Sequence, residues 1–350
     1  MGPDFELDDA QEAIVRLAGE VLSDNADNPE RLWKTLGQAG LLGLAVPEEL
    51  GGAGLGPLAT GLVLTEIGRR AARVPAWSTL ALGVLPVARW GSPRQRRELL
   101  PGVLEGRVLT AALAEPGEPM PATPRTIATE DWRVTGRKTA VPDAERAHRV
   151  LVPVSRPDGG TAVVLVDPRG PGVTLHRTAA SAGTDEFTMA LEDAAGEPLG
   201  AEPDGLYRFA VAGACALGDG ALAGALRLTA GHVRDRQQFG RPLATFQAVA
   251  QQIADVYVAS RTMHLAALTA SWALDSLRPA GSDLWTAAYW LGSEALPALR
   301  TCHHLHGGLG LAADYPLHRH TSLVRDLVRH LGGTEHCLER LGGHVVHRPD

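Results

Sequence analysis

The chain has 350 residues, enough for a large core and more than one domain. An apolar fraction of 45% and a charged fraction of 21% are ordinary for a soluble globular protein. The net charge is −7 and the basic residues do not cluster, so we expect no nucleic-acid partner. The first residues are acidic rather than apolar, and no apolar run approaches the ~20 residues of a membrane span, so we expect no membrane association.

The three cysteines lie far apart and form neither a metal-binding spacing nor a disulfide framework. They are interpreted as small buried apolar residues, and a reduced, cytoplasmic location is the expectation.

The first zone, residues 1–106, is predicted to be a helical domain. Asp8 and Asp9 can cap a helix with an apolar stripe from Ile14 to Val21, and further apolar-periodic runs follow. Pro47–Gly54 has the composition of a loop.

The second zone, residues 107–202, changes to short runs rich in β-forming residues, separated by Pro and Gly. It predicts a small antiparallel sheet or barrel, with a hairpin turn at Pro157–Gly160.

The third zone, residues 203–350, returns to helices, over Leu206–Arg236, Phe246–Leu277 and Leu284–Leu305, with a last one after Pro316. The first of these carries five glycines, each disfavouring a helix by ~1 kcal/mol. Close helix packing or a flat aromatic ligand would both explain them. Helices, then strands, then helices predict an α+β fold, and no GxGxxG sits between a strand and a helix.

Three segments in order resemble one family: GLLGLAVPEELGGAG at Gly40–Gly54, DRQQFGRPLATFQ at Asp235–Gln247 and HLHGGLG at His304–Gly310. Together with the order of the three zones (helices, strands, helices), these segments make nearly the whole chain similar to acyl-CoA dehydrogenases. Within that family, TCHHLHGG at Thr301–Gly308 and the Glu115–Gly117 triplet most resemble the short subunits of actinobacterial steroid side-chain dehydrogenases.

The resemblance implies a C-terminal four-helix bundle, FAD as cofactor and α,β-desaturation of an acyl-CoA substrate. In that reaction a carboxylate removes the α-proton and the β-hydrogen leaves as hydride to the flavin. It also implies a longer catalytic subunit in a two-plus-two heterotetramer, with an electron-transfer flavoprotein as acceptor.

In the family, the arginine at the place of Arg236 reaches across the dimer interface to the pyrophosphate of the partner's FAD, and Phe239 packs there. Gly240 is expected to end the helix. Gln247 opens the next helix and is a weaker candidate for flavin contact. The alternative for Arg236 and Phe239 is a surface arginine beside a core phenylalanine. The alternative for Gln247 is an interfacial or capping amide.

Gly307 and Gly308 would let the backbone come close to a ligand. The family glutamine that bonds the adenine portion is replaced by His304, which can still donate or accept a hydrogen bond. A structural helix-to-turn role is the alternative. The clustered histidines lack a carboxylate or cysteine pattern, so we expect no metal site.

The catalytic glutamate of the family precedes a Gly-Thr near the C-terminus, where this chain has LGGT at Leu331–Thr334. Some relatives carry the base on the glycine-rich helix, but no carboxylate lies near Ala210. Asp219 and Glu335 are weak candidates for a displaced base. A hydrogen-bonded buried acid and a helix-surface charge are the respective alternatives.

The flavin wall implied by the resemblance is also altered. The Gly-Ser-Asp expected after Glu115–Gly117 is missing, and Ala140 and Pro142 replace an aromatic residue and a hydroxyl. Proline removes even the backbone donor.

Parts that serve a subunit's own site are therefore lost, whereas parts that serve its neighbour's FAD are kept. The hypothesis is an obligate partner subunit without a working site of its own. A self-sufficient homotetramer using a displaced acid, a flavin-free scaffold and, more remotely, a flavin oxidase remain open.

Overall fold

A computed structural model describes residues 5–24, 28–276 and 278–346. In this part of the chain, helices come first, then a sheet, then helices again, which confirms the α+β prediction. The N-terminal helices are α1 (Asp9–Asp24), α2 (Pro29–Gln38), α3 (Pro57–Arg69), α4 (Leu85–Trp90), α5 (Pro93–Leu99) and α6 (Pro101–Leu104).

The caps of the N-terminal helices follow the sequence closely. The Asp8 carboxylate accepts a hydrogen bond from the Gln11 amide at 2.8 Å, while the Gln11 side chain accepts from the Asp8 amide at 3.2 Å. Asp8 is therefore the cap, as predicted, and Asp9 is already in the helix. A π-helical segment, Trp77–Val84, leads directly into α4.

The strands of the central sheet are β1 (Val108–Ala111), β2 (Ile127–Ala128), β3 (Arg133–Pro142), β4 (Ala147–Ser155), β5 (Thr161–Val166), β6 (Val173–Thr178) and β7 (Glu186–Pro198). Most neighbours are antiparallel, but β1 and β2 both pair parallel with β4. The antiparallel prediction is wrong for these two pairings with β4, which is not a sequence neighbour of either strand, whereas β2 pairs antiparallel with β3. The turn at Pro157–Gly160 is confirmed, since it joins β4 to β5.

The C-terminal part contains α7 (Pro203–Asp235), a small hairpin of β8 (Gln237–Gln238) and β9 (Arg241–Pro242), and then α8 (Gln247–Asp275), α9 (Gly281–Trp290), α10 (Leu296–His306), α11 (Leu317–His330) and α12 (Gly333–Val346). The start of α11 after Pro316 is confirmed. The predicted end of α8 at Leu277 lies outside the described residues.

Two predictions about these helices are wrong. The run Leu284–Leu305 is interrupted by a π-helical turn at Leu291–Ala295, and Pro297 in the next turn lacks the N–H that a regular helix would use. Gly240 does not end α7, which stops at Asp235; its φ of +77° places it in the β8–β9 turn instead.

The glycines of α7 serve close helix packing. A Cβ at Gly220 would lie 1.8 Å from the carbonyl oxygen of Thr65 on α3, and one at Gly224 would lie 2.2 Å from that of Arg69. On the α3 side, a Cβ at Gly68 would lie 2.0 Å from the Leu217 carbonyl oxygen. Backbones thus approach directly, and the aromatic-ligand interpretation is not needed at these positions.

α7 is also the one helix of the described residues that is long and apolar enough to cross a membrane, but 89% of its apolar window is buried within the protein. Such burial is typical of a core helix.

Candidate functional site

A pocket of about 480 Å³ lies where the sheet meets the end of α11. Its helical side comprises Arg329, His330, Gly332 and Gly333, and the rest of its lining, including the carboxylate-bearing Glu118, comprises Ala114, Glu115, Gly117, Glu118, Pro119, Thr139 and Ala140. The structure thus brings together the remnants of the flavin wall and the position that the family reserves for its catalytic glutamate. No carboxylate replaces that glutamate on the helical side of this pocket.

Glu115 is committed to the interior of the sheet rather than to the pocket. Its carboxylate lies 2.8 Å from the Lys138 ammonium, and both side chains are fully buried. It also accepts hydrogen bonds from the amide and hydroxyl of Thr126. Burial alone would raise the pKa of Glu115, but Lys138 and Thr126 outweigh it and lower the pKa to about 2. The pair is therefore a structural element of the wall.

The opposite stretch of the wall is irregular. β3 departs from regular register with β7 between Lys138 and Val141, and Ala140 in this bulge has a φ of +51°. Pro142 offers no N–H, and its carbonyl accepts a hydrogen bond from the Thr110 hydroxyl at 2.7 Å. The altered wall consequently presents a methyl group and a proline ring where the resemblance implied an aromatic ring and a donor.

Gly332 occupies the place of the missing glutamate, and the structure leaves no room for a side chain there. Its φ is +88°, and an added Cβ would lie 2.6 Å from Pro119 and 2.8 Å from the His336 ring. A base cannot stand at this position without rearrangement of the α11–α12 junction.

A second, smaller cavity of about 70 Å³ lies deeper, among the N-terminal helices, the sheet and α11. Glu186 of β7 accepts hydrogen bonds here from Arg329 at 2.6 Å and from His330 at 2.9 Å, and the His330 ring lies 4.8 Å from that of Trp77. Burial would raise the pKa of Glu186, but His330 and Arg329 lower it. We call Trp77, Glu186, Arg329 and His330 the cleft lock.

The cleft lock is reinforced by a further contact of α11. The Asp326 carboxylate accepts hydrogen bonds from the amides of Ser181 at 3.0 Å and Ala182 at 2.6 Å. Drug-sized ligands occupy pockets of roughly 300–1,000 Å³. The space left behind the cleft lock is far below that range, so no flavin fits there.

Neither weak candidate for a base lines these two pockets. Asp219 is buried among α3, α7 and α8, where its carboxylate lies 2.9 Å from Nδ1 of His264. Glu335 is exposed on the first turn of α12. Both positions match the structural alternatives that the sequence offered.

The residues predicted to serve a neighbour's FAD are all exposed. Arg236 follows the last residue of α7, and Phe239 stands in the hairpin turn with 92% of its surface exposed and a φ of +52°. Gln247 is the first residue of α8. Arg234, not Arg236, pairs with the Asp235 carboxylate, at 2.7 Å. Nothing in this local ion pair neutralises the Arg236 guanidinium.

The glycine turn after α10 is exposed as well. Gly307 has φ +58° and ψ −136°, a conformation essentially restricted to glycine. An added Cβ at Gly307 or Gly308 would meet nothing within 4 Å, so the backbone lies open. His304, in the place of the family glutamine, is exposed on the last turn of α10.

A stack of histidines joins the two exposed segments. The rings of His232 and His306 lie 4.5 Å apart and within 19° of parallel. His232 is one turn before Arg236, whose amide donates to its carbonyl oxygen at 2.8 Å, and His306 directly precedes Gly307. Sequence reasoning missed this contact, because its two rings come from helices far apart in the sequence.

Within the described ranges, no group of three or more His, Cys, Asp or Glu side chains is arranged to hold a metal ion. The histidines around residue 304 instead bond to carbonyl and hydroxyl groups. His303, for example, contacts the Gly310 carbonyl oxygen and the Thr321 hydroxyl.

Comparison with known proteins gives the family. Residues 8–107 match the acyl-CoA dehydrogenase N-terminal domain and residues 206–344 match the C-terminal domain. The acyl-CoA dehydrogenase FadE28 of Mycobacterium tuberculosis is 43% identical, over 97% of this chain and 98% of its own length. FadE27 of the same organism is 35% identical, over 91% of this chain and 88% of its own length.

Solved structures agree. A variant of the Tcur3481-Tcur3483 steroid ACAD has a TM-score of 0.91 at 35% identity, covering 96% of this chain and 98% of that chain. The ChsE4-ChsE5 complex from Mycobacterium tuberculosis has a TM-score of 0.91 at 30% identity, covering 99% of this chain and 100% of that chain. A Mycobacterium smegmatis glutaryl-CoA dehydrogenase, in complex with FADH2, shares the fold, with a TM-score of 0.88 at 22% identity over 98% and 96% of the two chains.

Proposed function

Because the chain belongs to the acyl-CoA dehydrogenase family of FAD-dependent oxidoreductases, we propose that it is the short, non-catalytic subunit of a heteromeric enzyme. A longer subunit supplies the base and the substrate cleft in a two-plus-two heterotetramer, and this chain completes that subunit's FAD site. The complex desaturates an acyl-CoA thioester at its α,β bond, with an electron-transfer flavoprotein as acceptor, in the cytoplasm.

The contrast between two regions of this chain carries the proposal. Its own cleft holds the cleft lock, a Gly332 without room for a side chain, and a wall whose Glu115 is neutralised by Lys138. The other end of the bundle exposes Arg236 and the backbone at Gly307. A chain whose wall pocket has no carboxylate at Gly332, whose deeper cavity is small and whose bundle edge is open is suited to complete a neighbour's site.

The residues at the open edge fit parts of FAD. Arg236 offers forked, permanently charged donors for a pyrophosphate, and the Gly307–Gly308 backbone can approach a flat or anionic group closely. The Phe239 ring gives an apolar contact at the same edge. When bound, FAD would supply the hydride-accepting chemistry, and Arg236, Phe239 and the Gly307–Gly308 backbone would hold and orient it.

The proposed substrate class rests on the relatives. The steroid ACAD and the ChsE4-ChsE5 complex are heteromeric and match this chain along nearly all its length. They support a steroid side-chain CoA ester as the substrate and a second acyl-CoA dehydrogenase chain as the partner.

Expression of the chain alone and with the longer subunit tests the proposal. We expect the lone chain to be colourless and inactive, and the purified complex to be yellow and to desaturate steroid side-chain CoA esters. A lone chain that binds FAD stoichiometrically and desaturates acyl-CoA would refute a non-catalytic role.

The displaced-acid alternative has its own check. In the purified complex, Asp219→Asn and Glu335→Gln are expected to retain both FAD and turnover, because neither carboxylate lines the pocket beside Gly332. Turnover lost with FAD retained, in either variant, would support a base on this chain.

A further inference from the structure

His306 lies within the HLHGGLG segment, but that motif does not imply its stacking on His232, which links the two segments proposed to hold FAD. His232 lies in the last turn of α7 and His306 is the last residue of α10. A stack with rings 4.5 Å apart fixes the distance between these helix ends. Arg236 and Gly307 are each attached to it within one helical turn.

Hydrogen bonds define the orientation of the His306 ring. Its Nδ1 lies 2.8 Å from the Cys302 carbonyl oxygen, which can only accept, so Nδ1 carries the proton. Its Nε2 lies 3.0 Å from the Tyr315 hydroxyl, which then donates to it. Both bonds are complete with a neutral ring, and Tyr315 connects the stack to the segment before α11.

We propose that the His232–His306 stack, fixed by Tyr315, positions Arg236 and the Gly307 turn for FAD and releases them when either histidine is protonated; this rests on the proposed function. Protonation of His306 would place a proton on Nε2, so that the Tyr315 hydroxyl could only accept there and its present donation to the ring would be lost. Protonation of either ring adds positive charge beside the other histidine and close to Arg236.

The surroundings favour neutral rings. Burial lowers the pKa of His232, with Arg236 adding to the effect. Burial also lowers the pKa of His306, and His232 and His303 add to this lowering. The hydrogen bond with the Cys302 carbonyl acts in the opposite direction but does not outweigh them. The groups facing the stack are therefore Arg236 after α7, His303 on α10 and Tyr315, whose carbonyl is bonded by His318 of α11. None of these is a carboxylate that would stabilise an imidazolium.

The sign of the pH effect follows. A histidine whose pKa is lowered in the folded state contributes fully to the stability of that state when the pH is above its ordinary pKa of about 6.5. This contribution to stability is lost as the pH falls from about 6.5 through the lowered pKa. FAD affinity of the complex should therefore weaken in the acidic range below about 6.5.

Titration of the complex of both subunits with FAD between pH 5 and 8, followed by flavin fluorescence, tests this. In the wild type we expect FAD affinity to fall roughly tenfold as the pH is lowered across this range, because residues coupled in one network change a free energy by about this much. His306→Ala should lose roughly tenfold already at neutral pH. A double His232→Phe and His306→Phe variant keeps aromatic rings without titration but loses the bonds of His306 to Cys302 and Tyr315, so it should bind more weakly than wild type at neutral pH with the pH decline removed.

The outcomes separate this inference from the function beneath it. If Arg236→Ala does not weaken FAD binding, the proposed function itself fails. If Arg236→Ala weakens binding but His306→Ala does not, or the double phenylalanine variant keeps the full pH decline, only the positioning role of the stack is refuted. Because the double variant keeps aromatic rings at both positions, it remains informative even where His306→Ala fails to assemble.

Discussion

At the scale of single residues, the lost base is a question of space and of backbone conformation. Gly332 and its neighbour Gly333 have nearly the same φ, +88° and +86°. A Cβ at Gly332 would meet Pro119 and His336 within 3 Å, whereas one at Gly333 would meet nothing within 4 Å. The two glycines therefore separate the cost of conformation from the cost of crowding.

We expect Gly333→Ala to destabilise the protein by about 1–2 kcal/mol, the cost of a left-handed alanine. Gly332→Ala should lose a further ~1–3 kcal/mol through overpacking. Urea unfolding of the two variants measures the difference, and equal losses would show that the α11–α12 junction has room for a side chain.

The buried pair of Glu115 and Lys138 gives a second residue-scale prediction. Lys138→Met leaves a buried carboxylate without its partner and should destabilise the fold by ~3–5 kcal/mol at neutral pH. Adding Glu115→Gln to Lys138→Met removes the unpaired charge and should recover part of the loss. Unfolding free energies of the three proteins check this, and no recovery in the double variant would contradict a charge-based cause.

The pH dependence of this effect has a definite sign. Glu115 has a pKa lowered to about 2, so its stabilising contribution is present above its ordinary value of about 4.5 and is lost as the pH falls from there toward 2. The stability difference between wild type and Lys138→Met should accordingly shrink as the pH falls below 4.5. A constant difference would exclude the ion pair as its origin.

At the scale of elements, the glycines of α7 differ in their surroundings: Gly220 and Gly224 contact the α3 backbone, whereas Gly231 lies open. Gly220→Ala would place a methyl group 1.8 Å from the Thr65 carbonyl oxygen. We expect this variant to lose ~1–3 kcal/mol or more of unfolding free energy, because α3 and α7 must move apart. Gly231→Ala on the same helix meets nothing within 4 Å and should stabilise by up to ~1 kcal/mol.

Thermal melting of the two variants checks this contrast, because helix propensity changes equally in both. A stabilised Gly220→Ala protein would show that the α3–α7 contact tolerates a larger spacing than the structure has.

Periodicity predicted the helices well but not their interruptions. α7 was found from residue 206 because its apolar pattern is long, and α11 because Pro316 marks its start. The π turn before Pro297, the early end of α7 at Asp235 and the parallel pairing of β1 with β4 were missed. Each depends on partners distant in sequence or on a local backbone choice that propensity does not fix.

The candidate site divides in the same way. The family motifs pointed to Arg236, Gly307 and the missing base at Gly332. No local motif predicts the contacts of the cleft lock around Glu186 and His330 or the stacking of His232 on His306, because their members come from separate elements. Only the folded chain places a β7 carboxylate against two residues of α11.

At the scale of the whole molecule, the chain is asymmetric in what it can offer a cofactor. Side chains from three parts of the fold reduce its deeper cavity to about 70 Å³, and its exposed edge carries an arginine outside the neighbouring ion pair. In a heteromeric complex this asymmetry predicts one FAD for each pair of unlike chains, held partly by Arg236.

The flavin content of the purified two-subunit complex, measured for wild type, Arg236→Ala and Arg234→Ala, tests that claim most directly. Arg234 is a matched control, because it is exposed on the same turn but already paired with Asp235. We predict one FAD per pair of unlike chains in wild type and Arg234→Ala, and at least a tenfold loss of FAD affinity in Arg236→Ala, as for a charged hydrogen bond worth ~1.5–3 kcal/mol. One FAD on every chain, or full flavin retention in Arg236→Ala, would contradict it.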